Sequence, residues 1–355
     1  MLFHRTFPLL PLLLLKYPPL SPPVLAATLV QNFASHRFSD VKQDFIQRDS
    51  KLKSYCRGRM KTLSEAYQED SPEALWQACL RWAQEKDMDF RLRCSDAKVK
   101  AAQLSLAQLA TLPLQPQPDA QAAVFSRLTL PLSAVARLMG STPYLAEELE
   151  DWGAKSALWL QTCGISRGSV LLIADGLAGE GPGWGVLQGA EALQATVATL
   201  SEQPWEDIQA YGAGACALTA RLLDAWVESR ADAGICRNFF CLTSSVEEEQ
   251  RQRWEQRLGA PVHRQWGLPG LQASAVAWEC PRRQGFHIAA DSFWAETVDS
   301  VTLQALPAGE PGELALTALR RRSAPAIRMR TGWLGRLEEA NCRCGSSEPR
   351  FVPIP

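Results

Sequence analysis

Two separated pairs of metal-competent side chains constrain this chain more than any other feature. They are Cys280-x6-His287 and Cys342-x-Cys344, the second followed by Gly345. Zinc favours four tetrahedral nitrogen or sulfur ligands in a structural site, and a tight pair plus a remote pair is a common way to assemble one. Glycine after the second cysteine lets the backbone turn so that both sulfurs face one ion. A structural zinc supplies roughly 10–16 kcal/mol of folding free energy in finger peptides, comparable to a domain's net stability. Such a site would tie the C-terminal tail to the β-rich stretch before it. The spacing is not that of a standard zinc finger, so scattered cysteines, a surface histidine and a chance Cys-x-Cys stand as the alternative. The other cysteines (Cys56, Cys79, Cys94, Cys163, Cys216, Cys236 and Cys241) sit mostly among apolar neighbours and read as buried free thiols, unlike a disulfide framework.

At 355 residues the chain can hold two or three core-forming units. A formal net charge of −1 offers no electrostatic case for nucleic acid or an anionic membrane. The basic runs Arg282-Arg283 and Arg320-Arg321-Arg322 read as solvated loops. Residues 1–24 are apolar and proline-rich. A positive start and the run FPLLPLLLL resemble a signal peptide, but Pro8, Pro11 and the later prolines break any spanning helix. A leader packed on the domain, or a start-site artefact, fits better, and a cytoplasmic protein with no membrane span is expected.

Residues 25–116 read as mainly helical. SPEALWQACLRWAQEK carries apolar residues at three- and four-residue spacing, with Ser71 as cap and Pro72 in the first turn. Pro113 to Pro118 reads as a linker. From 117 to 265 helices alternate with strands. Leu145, Leu149, Trp152 and Trp159 share a helical face; strands are predicted at 170–174, 195–200 and 238–242. One long helix is expected up to about Ser229, and another over 246–258. The alternation implies an α/β core with a largely parallel sheet. The glycines at 176, 179, 181, 183 and 185 lack phosphate-binding spacing and read as a plain loop. Residues 266–355 change to strands at 287–298, 312–317 and 326–337, a small sheet or barrel unit.

From about Leu25 onward, and most specifically after Gly267, the chain resembles the phenylacetate-CoA ligase-like branch of the AMP-forming adenylating enzymes. The resemblance rests on HIAADSFWAETVD, GELALTAL, IRMRTG and the cysteine pairs. It implies the large N-terminal domain of those enzymes, with layered, mostly parallel sheets, helices and a small β-rich subdomain carrying the zinc site. It also implies a reaction in which a carboxylate attacks ATP to give acyl-AMP, and a thiol then displaces AMP.

Each element needed for that reaction can be sought here. The phosphate loop is expected shortly before Tyr144, where Gly140-Ser141-Thr142-Pro143 is the only remnant, without a lysine. The segment carrying the magnesium-binding glutamate matches Trp266-Gly267-Leu268-Pro269-Gly270, with glycine in place of the carboxylate. Thr243-Ser244-Ser245-Val246 departs from the adenine-side turn. YRTGDL matches Met329-Arg330-Thr331-Gly332-Trp333-Leu334, with Trp333 replacing the aspartate that grips ribose. The sequence stops at Pro355, before the family's C-terminal catalytic-lysine domain. Nucleotide-side candidates are therefore Trp266, Gly267, Arg330 and Thr331, with Arg330 equally readable as a salt-bridged strand arginine.

Losing one preorganised donor to transition-state charge typically costs about 10²–10³ in rate. The leading expectation is a degenerate relative with weak or no adenylation activity. It would hold a structural Zn2+ and bind an acyl or aryl carboxylate or a protein partner. The alternative is an active AMP-forming ligase using ATP, Mg2+ and CoA, completed by a separately supplied C-terminal domain. A Cys- or Ser-based hydrolase lacks any supporting motif.

Overall fold

The computed structural model describes residues 71–354, apart from 102, 118–126, 141, 178–180, 200–203, 245, 269 and 340. The apolar leader, the helices expected between residues 25 and 70, and Cys56 lie outside the described residues.

Helix α1 (Pro72–Lys86) starts where Ser71 Oγ accepts from the Ala74 amide at 3.2 Å. Asp87 ends α1 and caps α2 (Met88–Asp96), accepting from the Phe90 amide. The buried stripe Leu75, Trp76, Cys79, Leu80 and Ala83 packs with Leu319 and Ile327 from the far end of the chain. Between these parts, the described portion of the expected linker, Pro113 to Gln117, is docked on the fold, contrary to that expectation. Gln115 is buried; its amide donates to Arg328 O, its carbonyl accepts from the Arg330 amide, and its side chain accepts from the Ile327 amide. Three hydrogen bonds to the 327–330 main chain hold this segment as an extra strand-like rung, which its proline content conceals.

A hairpin of β1 (Arg137–Met139) and β2 (Thr142–Tyr144) leads into α3 (Ala146–Thr162). There follow β3 (Val170–Ile173), α4 (Gly183–Ala192), β4 (Thr196–Thr199), α5 (Pro204–Tyr211), β5 (Ala215–Leu218), α6 (Ala220–Ser229), β6 (Asn238–Cys241), α7 (Glu248–Leu258) and β7 (Val262–Leu268). Strands β4, β3, β5, β6 and β7 pair in parallel in that order. Their side chains alternate between two cores. Leu171, Ile173, Ala215, Ala217 and Phe240 meet the α3–α4 side, while Leu172, Cys216, Leu218, Phe239 and Cys241 meet the α6–α7 side.

Two expectations about this region are corrected. The single long helix ending near Ser229 is interrupted by β5, whose small, fully buried Ala-Cys-Ala-Leu run lacks the alternation that marks a half-exposed strand. The glycine-rich stretch is only partly loop, because Gly183, Gly185 and Gly189 belong to α4. A Cβ on Gly185 would collide with the Trp152 indole, and one on Gly189 would lie 2.6 Å from the Ala157 amide nitrogen. The glycines let α3 and α4 approach closely.

After β7 the sheet turns antiparallel without a break. β8 (Gln272–Glu279), β9 (Phe286–Ile288), β10 (Phe293–Val298), β11 (Gly312–Ala318), β12 (Met329–Glu338) and β13 (Arg350–Pro353) complete one sheet ordered β10-β11-β12-β13-β9-β8-β7-β6-β5-β3-β4. The strand expected over 287–298 is two strands with different neighbours: β9 pairs with β8 and β13, β10 with β11. The run Arg320-Arg321-Arg322 is also corrected. Arg321 is buried, donates to Pro143 O at 2.8 Å and lies over the Tyr144 ring. The Arg322 amide donates to Glu148 Oε1.

Candidate functional site

The four metal-competent side chains meet at one end of the antiparallel strands. Cys280 follows β8, His287 is the middle residue of β9, and Cys342 and Cys344 lie in the β12–β13 connection. Pairing of β9 with both β8 and β13 brings the two sequence-distant pairs together. The 342–346 loop closes through Gly345 N to Cys342 O and Cys342 N to Ser346 O, with Gly345 at φ +93°.

All four ligand atoms lie within 4.8 Å of one another. Cys280 Sγ is 3.8 Å from Cys342 Sγ, and Cys344 Sγ is 3.5 Å from His287 Nε2. With Zn–S near 2.3 Å and Zn–N near 2.0 Å, a regular tetrahedron has S–S edges of about 3.8 Å and S–N edges of about 3.5 Å. The donor set therefore fits a tetrahedral ion, and zinc suits three thiolates and one imidazole. Burial pushes the Cys280 thiol up to about 12, with the adjacent thiols adding to the shift. Burial raises Cys342 too, but the Cys344 amide and the neighbouring sulfurs bring it below the ordinary thiol value. A divalent cation would offset the cost of gathering such groups as thiolates.

The nucleotide-side candidates form a second cluster. Trp266 is buried on β7, and its ring centroid lies 4.3 Å from that of Trp333. Trp333 also meets Phe286 at 5.5 Å and Phe351 at 6.0 Å. It is positioned by a bulge. Glu313 pairs with Leu334 and Ala315 with Arg330, so Thr331, Gly332 and Trp333 span a register shift in β12. Gly332 has φ +73°, a conformation suited to glycine. Glu313 anchors the bulge. Its Oε1 accepts from the Gly332 amide at 3.0 Å, and its Oε2 pairs with Arg330 Nη2 at 2.5 Å. Thr331 Oγ1 donates to Leu314 O at 2.7 Å and accepts from the Trp333 amide. Gly267 donates to Ser244 Oγ at 3.0 Å, and a Cβ there would collide with Ala273 O. Thr331 and the Nε and Nη2 of Arg330 thus serve the bulge, and Gly267 serves the close approach of β7 and β8.

The phosphate-loop position is a tight turn. Met139 pairs directly with Thr142, which leaves two residues between β1 and β2, with Gly140 at φ +56°. At Gly270, where the resemblance would place a magnesium carboxylate, the backbone carbonyl instead accepts from Arg127 Nη1 at 3.2 Å. His263 is buried on β7 against Asn238 Oδ1, and burial pushes its pKa down to about 4.

A third cluster has no counterpart among the sequence motifs. Asp151 and Lys155 form a buried ion pair on α3, and Ser292 Oγ donates to Asp151 Oδ1 at 2.8 Å. Burial lowers Lys155 to about 7 despite the nearby Asp291 carboxylate. The basic run at 320–322 is the sequence signal near it, and the partners of that run include Pro143, Glu148 and Asp151 as well as Asp291 O, Trp82 and Thr129.

The order of layers, with a parallel sheet covered by helices on both faces and continued by antiparallel strands, is that of the large domain of adenylate-forming enzymes. Solved structures of 2-hydroxyisobutyryl-CoA ligase superpose with TM-scores of 0.68 and 0.70 at 19% and 18% identity. They cover 78% and 79% of this chain, and 71% and 65% of theirs. At the sequence level, a phenylacetate-coenzyme A ligase from Thermus thermophilus is 29% identical over 250 residues, covering 65% of this chain and 56% of the relative. One from Aromatoleum evansii is 28% identical over 254 residues, covering 66% and 58%. No family model matches the chain. The chain is thus similar in sequence to phenylacetate-coenzyme A ligases and in fold to an adenylate-forming CoA ligase, with the sequence match spanning little more than half the length of those curated proteins.

Proposed function

We propose that this chain keeps the scaffold of an adenylating domain with weak or no adenylation activity, and serves to bind an acyl or aryl carboxylate or a protein partner. One observation carries the reading. Trp333 takes the position of the ribose-gripping carboxylate, and its indole is packed against Trp266, Phe286 and Phe351. A carboxylate accepts hydrogen bonds from sugar hydroxyls; an indole cannot. The two-residue β1–β2 turn and Gly270 support the same reading. Four-ligand geometry supports a structural zinc at Cys280, His287, Cys342 and Cys344, holding the β12–β13 connection against β8 and β9. Among the described residues no helix is long and apolar enough to cross a membrane; a cytoplasmic location and the absence of a nucleic-acid partner belong to this proposal. On this reading, millimolar MgATP leaves the melting temperature within error of a magnesium-only control. A saturable rise of several degrees would contradict it.

The alternative is an active AMP-forming acyl- or aryl-CoA ligase using ATP, Mg2+ and CoA, completed by a C-terminal domain from a partner. The names of its sequence relatives, phenylacetate-coenzyme A ligases, favour it. Any catalytic contribution of Trp266, Gly267, Arg330 and Thr331 belongs to this alternative.

A further inference from the structure

Among the described residues every cysteine is buried except Cys344, which is half-buried between the exposed Arg343 and Gly345. The thiols outside the metal-competent cluster are closed to solvent and held protonated. Burial pushes Cys79 up to about 11, and Cys236 and Cys241 up to about 12. Such thiols are inert toward electrophiles, because the thiolate is the nucleophile.

Cys344 differs in chemistry as well as in access. Its sulfur belongs to the four ligand atoms that lie within 4.8 Å of one another, and a thiol that coordinates a divalent ion is deprotonated outright. The other three ligands are shut away: Cys280 is 0%, His287 1% and Cys342 4% exposed. A side chain placed on Gly345 would meet nothing within 4 Å, so the approach beside Cys344 is uncrowded. An electrophile arriving from solvent thus meets one thiolate first, with two more sulfurs within reach behind it.

We propose that Cys344 is a site of reversible oxidation by hydrogen peroxide or an organic hydroperoxide, and that its modification opens the metal site; the assignment rests on the structural-zinc reading given above. The Cys344 thiolate attacks one peroxide oxygen and the O–O bond breaks, leaving a sulfenic acid on Cys344 and releasing hydroxide or an alkoxide. The Cys280 or Cys342 thiolate then attacks the Cys344 sulfur, forms a disulfide and expels hydroxide. Two thiolates have lost two electrons to one peroxide. His287 and one cysteine remain, too few ligands for a structural zinc, and the β12–β13 connection loses its clasp on β8 and β9.

The test takes the whole chain, its zinc content fixed first by elemental analysis, and follows zinc release with a colorimetric chelator as hydrogen peroxide is added. Peptide mapping of the product accompanies it. The expected result is loss of the bound zinc in step with a disulfide joining Cys344 to Cys280 or Cys342. Cys79, Cys94, Cys163, Cys216, Cys236 and Cys241 stay reduced, and dithiothreitol with added zinc restores the starting protein. Cys344→His keeps four zinc ligands, two cysteines and two histidines, without the accessible thiolate, and should slow release at least about tenfold. If that variant does not fold, the wild-type map decides alone. Zinc that stays bound in excess peroxide, release with no disulfide at Cys344, or a variant as sensitive as the wild type would overturn the modification site. Wild-type chain found metal-free at the first step would sink the structural-zinc reading and this site with it, so the two failures are distinguishable.

Discussion

Replacing Cys342 and Cys344 with serine removes bound zinc and lowers stability by at least about 4 kcal/mol, the linkage contribution of a ligand present at roughly a thousand times its dissociation constant. The size follows from geometry. The two sulfurs sit in a connection that closes on itself through few bonds among the described residues: Gly345 N to Cys342 O, Cys342 N to Ser346 O and Glu348 N to Ser346 Oγ. Its tip is anchored to the ends of β8 and β9 by the contacts of Cys342 with Cys280 and of Cys344 with His287, while its return is held by Ile288 N to Pro349 O and Ala290 N to Glu348 Oε2. Without a metal, four crowded donors must remain protonated or repel. Elemental analysis should give about one zinc per wild-type chain, as a single tetrahedral site requires. The double variant should be zinc-free, with exchange-labile amides in β9 and β13. Wild-type protein that is metal-free and melts normally would refute the site.

Glu148→Ala should cost about 3–5 kcal/mol, the range for leaving buried charge partners uncompensated. This carboxylate joins the start of α3 to the 319–323 turn between β11 and β12, accepting from three amides and one hydroxyl. Truncation leaves those donors, and the Arg321 charge, without an acceptor. Burial alone would raise the Glu148 pKa, but Arg321 and the Ser323 donors outweigh it and leave it below the usual glutamate value. A folded pKa below the unfolded one contributes stability that is present above the unfolded pKa and lost as pH falls through the folded one. Chemical denaturation of the wild type and the variant should therefore converge as the solution is made acid. A difference that stays constant with pH would show that the loss is packing, not charge.

Strands with strong local signals were legible in the sequence. Val170–Ile173 and Asn238–Cys241 are apolar runs, and the helical stripe Leu149, Trp152 and Trp159 is buried as its spacing implied. Features set by distant partners were not. The segment from Pro113 to Gln117 is fixed by bonds from Gln115 to the main chain of residues 327–330, which no side-chain pattern announces. Arg321 looks solvated in sequence because Pro143 and Tyr144, which bury it, lie far from it in the chain. β5 was hidden by small residues next to the strongly amphipathic α6. The four metal-competent residues were identifiable from residue type and spacing, and the structure brings them together. Gly270 and Trp333 stand in the sequence where the resemblance calls for acidic residues. That Trp333 turns inward onto Trp266 depends on the Glu313-anchored bulge, which only the strand register reveals.

The most direct test of the account is carboxylate-dependent exchange of labelled pyrophosphate into ATP, using zinc-loaded chain and a panel of aryl and fatty acids. A nucleotide side closed by Trp333 predicts exchange that is absent or barely above a no-acid control. Rapid exchange that depends on one acid, at the turnover of about 1 s⁻¹ or more usual for an enzyme, would show that adenylation is intact and would contradict the account.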